Sequence, residues 1–79
     1  MLLTHDAMVT LIVLTWVDEL VEAGFLLKGP FASSKRGKEK AKALLEDGFI
    51  ITDDKLKEAI HRITPGIEES VYRLIKIKH

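Results

Sequence analysis

Ala7-Met-Val-Thr-Leu-Ile-Val-Leu-Thr-Trp-Val17 is the longest apolar run of the chain and holds its only Trp. It continues without a break into Asp18-Glu-Leu-Val-Glu-Ala-Gly24. In this second part Trp16, Val17, Leu20 and Val21 share one side of a helix while Thr15, Asp18, Glu19 and Glu22 share the other, an amphipathic pattern at the helical period. In the first part Met8, Val9, Leu11, Ile12, Val13 and Leu14 point in every direction around the same axis, and a helix apolar all round has to be covered all round. The β-branched Val9, Thr10, Ile12, Val13 and Thr15 leave a buried strand as the competing reading of this half. Helix fits better, because the acidic continuation is helical and nothing between interrupts it. Thr4 or Asp6 is placed to cap its start, and Gly24 to take the left-handed position after its end.

That end has an echo. Leu20-Val-Glu-Ala-Gly-Phe-Leu-Leu27 recurs as Leu44-Leu-Glu-Asp-Gly-Phe-Ile-Ile51. Both copies read as a helix stop of the Schellman type, with Gly24 and Gly48 left-handed and Phe25 and Phe49 just beyond. Between them Lys28-Gly-Pro-Phe-Ala-Ser-Ser34 is a turn, and Ser33 or Ser34 caps a second helix that runs to Asp47. Its apolar side is short, Ala41, Leu44 and Leu45 with Ala43 beside them, and Gly37 weakens its first turn by about 1 kcal/mol relative to Ala. Thr52-Asp-Asp opens a third helix with a cap and an acidic first turn; Leu56, Ala59, Ile60 and Ile63 form its stripe. Thr64-Pro65 ends it and can start a fourth helix, with Thr64 as cap and Pro65 at the first position, on which Ile67, Val71, Leu74 and Ile75 share a face. The rival for the tail is a strand over Tyr72–Lys78, since Ile75 and Ile77 alternate with Lys76 and Lys78. The expected fold is therefore a mainly α, compact, single domain of three or four helices over residues 1–79. It leaves room for a minimal β element made from Phe25–Leu27, Phe49–Ile51 and the C-terminal tail.

Twelve Lys and Arg balance twelve Asp and Glu, so the chain lacks the basic excess of a dedicated nucleic-acid binder. With 47% hydrophobic and 30% charged residues it has the make-up of a folded domain. A core of this size is marginal alone, and without Cys neither disulfides nor thiolate metal sites can reinforce it, so association with a second subunit or partner is the remaining reinforcement, unless the core alone suffices. A Cys-free chain is compatible with a reducing cytoplasm, which is the expected location. The apolar block from Ala7 to Val17 lies between Asp6 and Asp18, falls short of the ~20 residues of a membrane span, and has no basic segment before it as a signal peptide would.

Motifs for chemistry do not accumulate. Gly29 to Lys38 has the composition of a phosphate loop, but its glycines are too far apart and Glu39, not Ser or Thr, follows the Lys. His5, His61 and His79 have no spacing that converges metal ligands. Ser33, Ser34 and Ser70 sit in no nucleophile motif, and Asp53-Asp54 is a helix-start charge. The expectation is no catalytic, metal or cofactor site and no small-molecule substrate. What remains is a non-enzymatic binding module, of an accessory or regulatory kind, that contacts a protein partner or a second copy through Met8, Leu11, Ile12, Leu14 and Trp16 of the first helix. The closed alternative is that the other three stripes wrap this helix within one chain. The runner-up function is nucleic-acid binding through Lys35, Arg36, Lys38 and Lys42, a basic block whose affinity would be weak and strongly salt-dependent.

Leu20-Val-Glu-Ala-Gly-Phe-Leu, followed by Ser34-Lys-Arg-Gly-Lys-Glu-Lys-Ala-Lys-Ala-Leu-Leu, resembles the wing region of winged-helix proteins over about residues 20–48. In that family a recognition helix ends in a Leu-x-x-x-Gly-aliphatic pattern, a short β-wing follows, and the next helix starts with Thr/Ser-x-x-Gly. The resemblance implies that the first helix would be the DNA reader. The face carried over is Trp16 and Val17 with acidic neighbours, which would repel phosphate and suits contact with protein.

Overall fold

Four helices account for most of the computed structural model, which describes residues 3–27, 29 and 32–79. They are α1 (His5–Glu22), α2 (Lys35–Glu46), α3 (Asp53–Ile63) and α4 (Glu68–Lys78). Thr4, Ser34 and Thr52 cap the first three, their hydroxyls accepting from the backbone N–H of Ala7 (3.1 Å), Gly37 (3.1 Å) and Lys55 (3.4 Å). The β-branched threonines within α1 are accommodated by bonding back along the helix: Thr10 donates to the carbonyl of Asp6 (2.8 Å) and Thr15 to that of Leu11 (3.0 Å). Both glycine corners are Schellman turns. Gly24 and Gly48 sit at φ +85° and +87°, their N–H groups reaching Val21 and Leu45 while those of Phe25 and Phe49 reach Leu20 and Leu44.

α1 lies at the centre and packs on α2, α3 and α4. Its Val9, Val13, Val17 and Leu20 meet Leu56, Ala59, Ile60 and Ile63 of α3 and Val71 and Ile75 of α4 in one core. Leu26, Phe49, Ile51, Tyr72 and Leu74 pack against its edge. Among the described residues α2 packs on α1 alone of the helices, and Ala41 is fully buried. A Cβ added to Gly37 would stand 3.1 Å from Leu11 Cδ1. Gly37 and Ala41, one turn apart, are thus the small residues that let α2 lie close on α1, and the propensity lost at Gly37 has a packing reason. Val9, Ile12 and Val13 of α1 are buried within the chain, while Met8, Leu11 and Leu14 stay half-buried.

Two expectations are corrected. No strand forms among the described residues, so the minimal β element is absent, and the tail is helical to Lys78. Helix wins there because it brings Val71 and Ile75, four apart, into the core, leaving Ile77 84% exposed; a strand would have put Ile75 and Ile77 on one face. Phe25–Leu27 and Phe49–Ile51 are links after helix stops. The second correction is the start of α4, at Glu68 and not at Pro65. Thr64 turns its hydroxyl back to the carbonyl of Ile60 (3.0 Å) instead of capping forward, and Gly66 at φ +94° breaks the helical path. The Glu68 carboxylate accepts from the Gly66 N–H at 2.6 Å in place of a cap. The expected turn Lys28–Ser34 lies partly outside the described residues, at 28, 30 and 31.

Candidate interaction surface

Of the residues assigned to an association surface, Ile12 is completely buried within the chain and is reachable by no partner. Met8, Leu11, Leu14 and Trp16 are half-buried. Leu11 lies beside Gly37 of α2, Leu14 and Trp16 pack against the core, and the His79 ring stacks on the Trp16 indole. The middle of α1 therefore offers only the edges of its side chains.

The basic block divides in the same way. Lys35, Arg36 and Lys42 are exposed. Lys38 is drawn into the fold, where its ammonium donates to Glu22 at 3.1 Å and stands 3.9 Å from Asp18. The hydrogen bond to Glu22 holds the Lys38 pKa above its ordinary value, aided by the charges of Glu22, Asp18 and Glu19 and opposed by desolvation. Asp18 also accepts from the Ser33 N–H (2.8 Å) and hydroxyl (2.5 Å). The α1–α2 joint is thus polar at its rim: Asp18 and Glu22 face the start of α2 and fix its place.

Further ion pairs tie the other helices. Lys55 of α3 meets Asp6 of α1 at 3.1 Å, and this hydrogen bond lowers the Asp6 pKa and raises that of Lys55. Lys76 of α4 meets Asp53 of α3 at 3.0 Å, which raises the Lys76 pKa. Glu68 is held below the ordinary carboxylate range, first by its own backbone N–H and then by His61, whose Nδ1 is 3.0 Å away. The three histidines are spent on separate joints: His5 on Phe49, His61 on Glu68, His79 on Trp16 and Glu19. Among the described residues no three His, Asp or Glu side chains converge as a metal site would need. No helix of the described residues is long and apolar enough to cross a membrane.

The surface that the sequence does not disclose is an apolar cleft of about 580 Å³. One wall is the link after α1, Phe25, Leu26, Leu27 and Gly29; the other is the α3–α4 turn with Ile63, Thr64, Pro65 and Ile67, and Val17 lies between them. Among the described residues its lining carries no charged side chain. Phe25 (59%), Leu27 (95%) and Ile67 (54%) are among the most exposed large apolar residues of the fold. Val17 and Ile63 in the same lining are buried. The Schellman corner creates one wall, because a helix stopped at Gly24 turns Phe25 and Leu27 outward while Leu26 packs against the core. The turn at Gly66 creates the other, because it leaves Ile67 outside α4 and out of the core. The only hint in the sequence is the placement of apolar residues directly after Gly24 and after Pro65-Gly66, where a link has little core to reach. No family model, curated protein sequence or solved structure matches the chain.

Proposed function

We propose that the protein is a non-enzymatic binding module, of an accessory or regulatory kind and working in the cytoplasm, that acts by docking an apolar segment of a protein partner or of a second copy. The observation that carries this reading is the gathering of Phe25, Leu27 and Ile67, all largely exposed, around one apolar cleft. A contiguous apolar patch of this kind marks an interaction site more often than scattered surface residues do. Each such side chain contributes roughly 1.5–3 kcal/mol when fully buried against a partner. The contact surface on this reading lies at the C-terminal end of α1, beyond the Met8–Trp16 stretch.

Leu27→Asp is the appropriate variant, because Leu27 at 95% exposure supports nothing within the fold. Ile50→Asp is its control, also open, at 80%, but outside the cleft lining. Association, read as the rise of scattering mass with concentration or as retention of a partner on immobilised protein, is expected to be lost in Leu27→Asp and kept in Ile50→Asp. Equal loss in both variants, or in neither, refutes the cleft.

A second reading belongs to α2. Lys35, Arg36 and Lys42 are exposed together on it, and a nucleic-acid contact there, in line with the resemblance to winged-helix proteins, would rest on these three with Lys38 already engaged by Glu22.

A further inference from the structure

The cleft between the link after α1 and the α3–α4 turn differs in character between its interior and its rim. Val17 and Ile63 of its lining belong to the buried core. The one hydroxyl of its described lining, on Thr64, is already spent on the carbonyl of Ile60 at 3.0 Å. The described side chains inside offer nothing to hold a polar group, so a molecule that fills the cleft has to be apolar along its body. The volume, about 580 Å³, falls within the roughly 300–1,000 Å³ of small-molecule sites. At the rim stands Lys78, the last residue of α4, with its ammonium 6.0 Å from the centre of the Phe25 ring, and Phe25 lines the cleft. On either side of it, Lys76 and His79 have carboxylates at 3.0 Å, those of Asp53 and Glu19. Lys78 has none within ion-pair distance among the described residues, and its ring contact is at the outer limit of a cation–π interaction. An apolar interior with an unpaired ammonium at its edge complements one kind of molecule, an apolar body with a single anionic end.

We propose that the cleft binds a free aliphatic carboxylate of medium chain length, with the chain against Leu27, Ile63 and Ile67 and the carboxylate on Lys78. The molecule is a ligand and not a substrate, since the described lining holds no acid, base or unengaged hydroxyl to act on it. It covers Phe25, Leu27 and Ile67, the residues assigned above to protein docking, so ligand and partner compete for one surface. The ligand itself needs no protein partner, and its test uses this chain alone. Lys78 is exposed, so its pair with the carboxylate has the modest, salt-screened strength of a surface ion pair. Burial of the chain supplies most of the affinity, and Lys78 selects the end group.

Decanoate, kept below the concentration at which it forms micelles, is the probe. Decanol and decyltrimethylammonium present the same chain with a neutral and a cationic end. Binding is read by titrating the methyl NMR signals of the protein. Decanoate is expected to shift Leu27, Ile63 and Ile67 saturably and to leave Ile50 and Ile77, exposed but outside the lining, in place. It is expected to bind more tightly than decyltrimethylammonium, by a margin that shrinks as salt is raised. Lys78→Gln is expected to weaken decanoate roughly two- to fivefold, as loss of an exposed ion pair does, and to leave decanol unchanged. The proposal is overturned by decanoate that gives no saturable shift, by shifts spread equally over Ile50 and Ile77, or by equal binding of the anionic and cationic ends. It is overturned as well if Lys78→Gln leaves the affinity of decanoate relative to decanol as it was. A shift at the cleft produced by phosphatidylglycerol vesicles and not by decanoate would make the surface a membrane contact and overturn it too.

Discussion

Replacing Ile12 with Ala separates a closed α1 from an α1 that is covered by a second copy. Ile12 is 0% exposed within one chain, so truncation leaves a cavity that its neighbours fill only in part. Large-to-small changes of this kind cost about 2–5 kcal/mol. At roughly 0.05–0.15 kcal/mol per residue, the 79 residues hold about 4–12 kcal/mol in total. A loss near 3 kcal/mol therefore removes a quarter or more of the stability and lowers the melting temperature by roughly 12–24 °C, at about 4–8 °C per kcal/mol for a domain of this size. The assay is urea denaturation followed by Trp16 fluorescence, with wild type and variant each measured at low and at hundredfold higher protein concentration. Ile12→Ala is expected to lower the midpoint by the same amount at both concentrations. A penalty that shrinks as the protein is concentrated would mean that Ile12 is buried by a second copy, and the closed fold would be wrong.

Gly48→Val should cost more than about 1 kcal/mol, because Gly48 is at φ +87°, and the same holds for Gly24→Val. An added Cβ meets nothing within 4 Å at either site, so backbone strain is the whole cause, and chemical denaturation showing no loss would remove the left-handed corner. Gly37→Ala is expected to gain less than the ~1 kcal/mol of its helix propensity, since the new Cβ presses on Leu11 at 3.1 Å; in a Leu11→Ala background the full gain should return, and a double-mutant cycle showing additivity would refute the close approach. Asp6 and Glu68 have lowered pKa values, so the stability they contribute is present above the ordinary carboxylate range and is lost as pH falls through their lowered folded values. Glu68→Gln should accordingly flatten the fall in urea midpoint on acidification, and a fall as steep as wild type would contradict the role of Glu68. If α2 contacts nucleic acid, Lys35→Glu with Arg36→Glu and Lys42→Glu abolishes retention on DNA, and wild-type binding weakens steeply with salt; a wild type that shifts no duplex or single strand at low salt removes that reading.

Local chemistry made much of the fold legible. Thr4, Ser34, Thr52, Gly24 and Gly48 act within a turn of themselves, and each takes the role that its residue type predicts. The stripe Leu56, Ala59, Ile60 and Ile63 is buried as its period requires. Where two local solutions compete, neighbours decide. Thr64 could cap forward or bond back, and its choice of Ile60 depends on how α3 ends. Ile75 and Ile77 satisfy both periods until Val71 and Ile75 are seen in the core. The candidate surface was least legible, since exposure of Phe25, Leu27 and Ile67 follows from how the helices close around α1. The apolar stretch Met8–Trp16 reads equally as core or as surface because its pattern fits burial against anything; Val9, Ile12 and Val13 are buried by the other helices, while Met8, Leu11, Leu14 and Trp16 stay half-buried.

The account rests on apolar docking at the cleft with α1 held inside. Methyl NMR spectra recorded while the protein is concentrated, and then titrated with the partner that wild type retains and Leu27→Asp does not, test this most directly. The account predicts that the methyl signals of Leu27 and Ile67 shift on association while that of Ile12 stays in place. Movement of Ile12, Leu11 and Leu14 with Leu27 and Ile67 unmoved would contradict it.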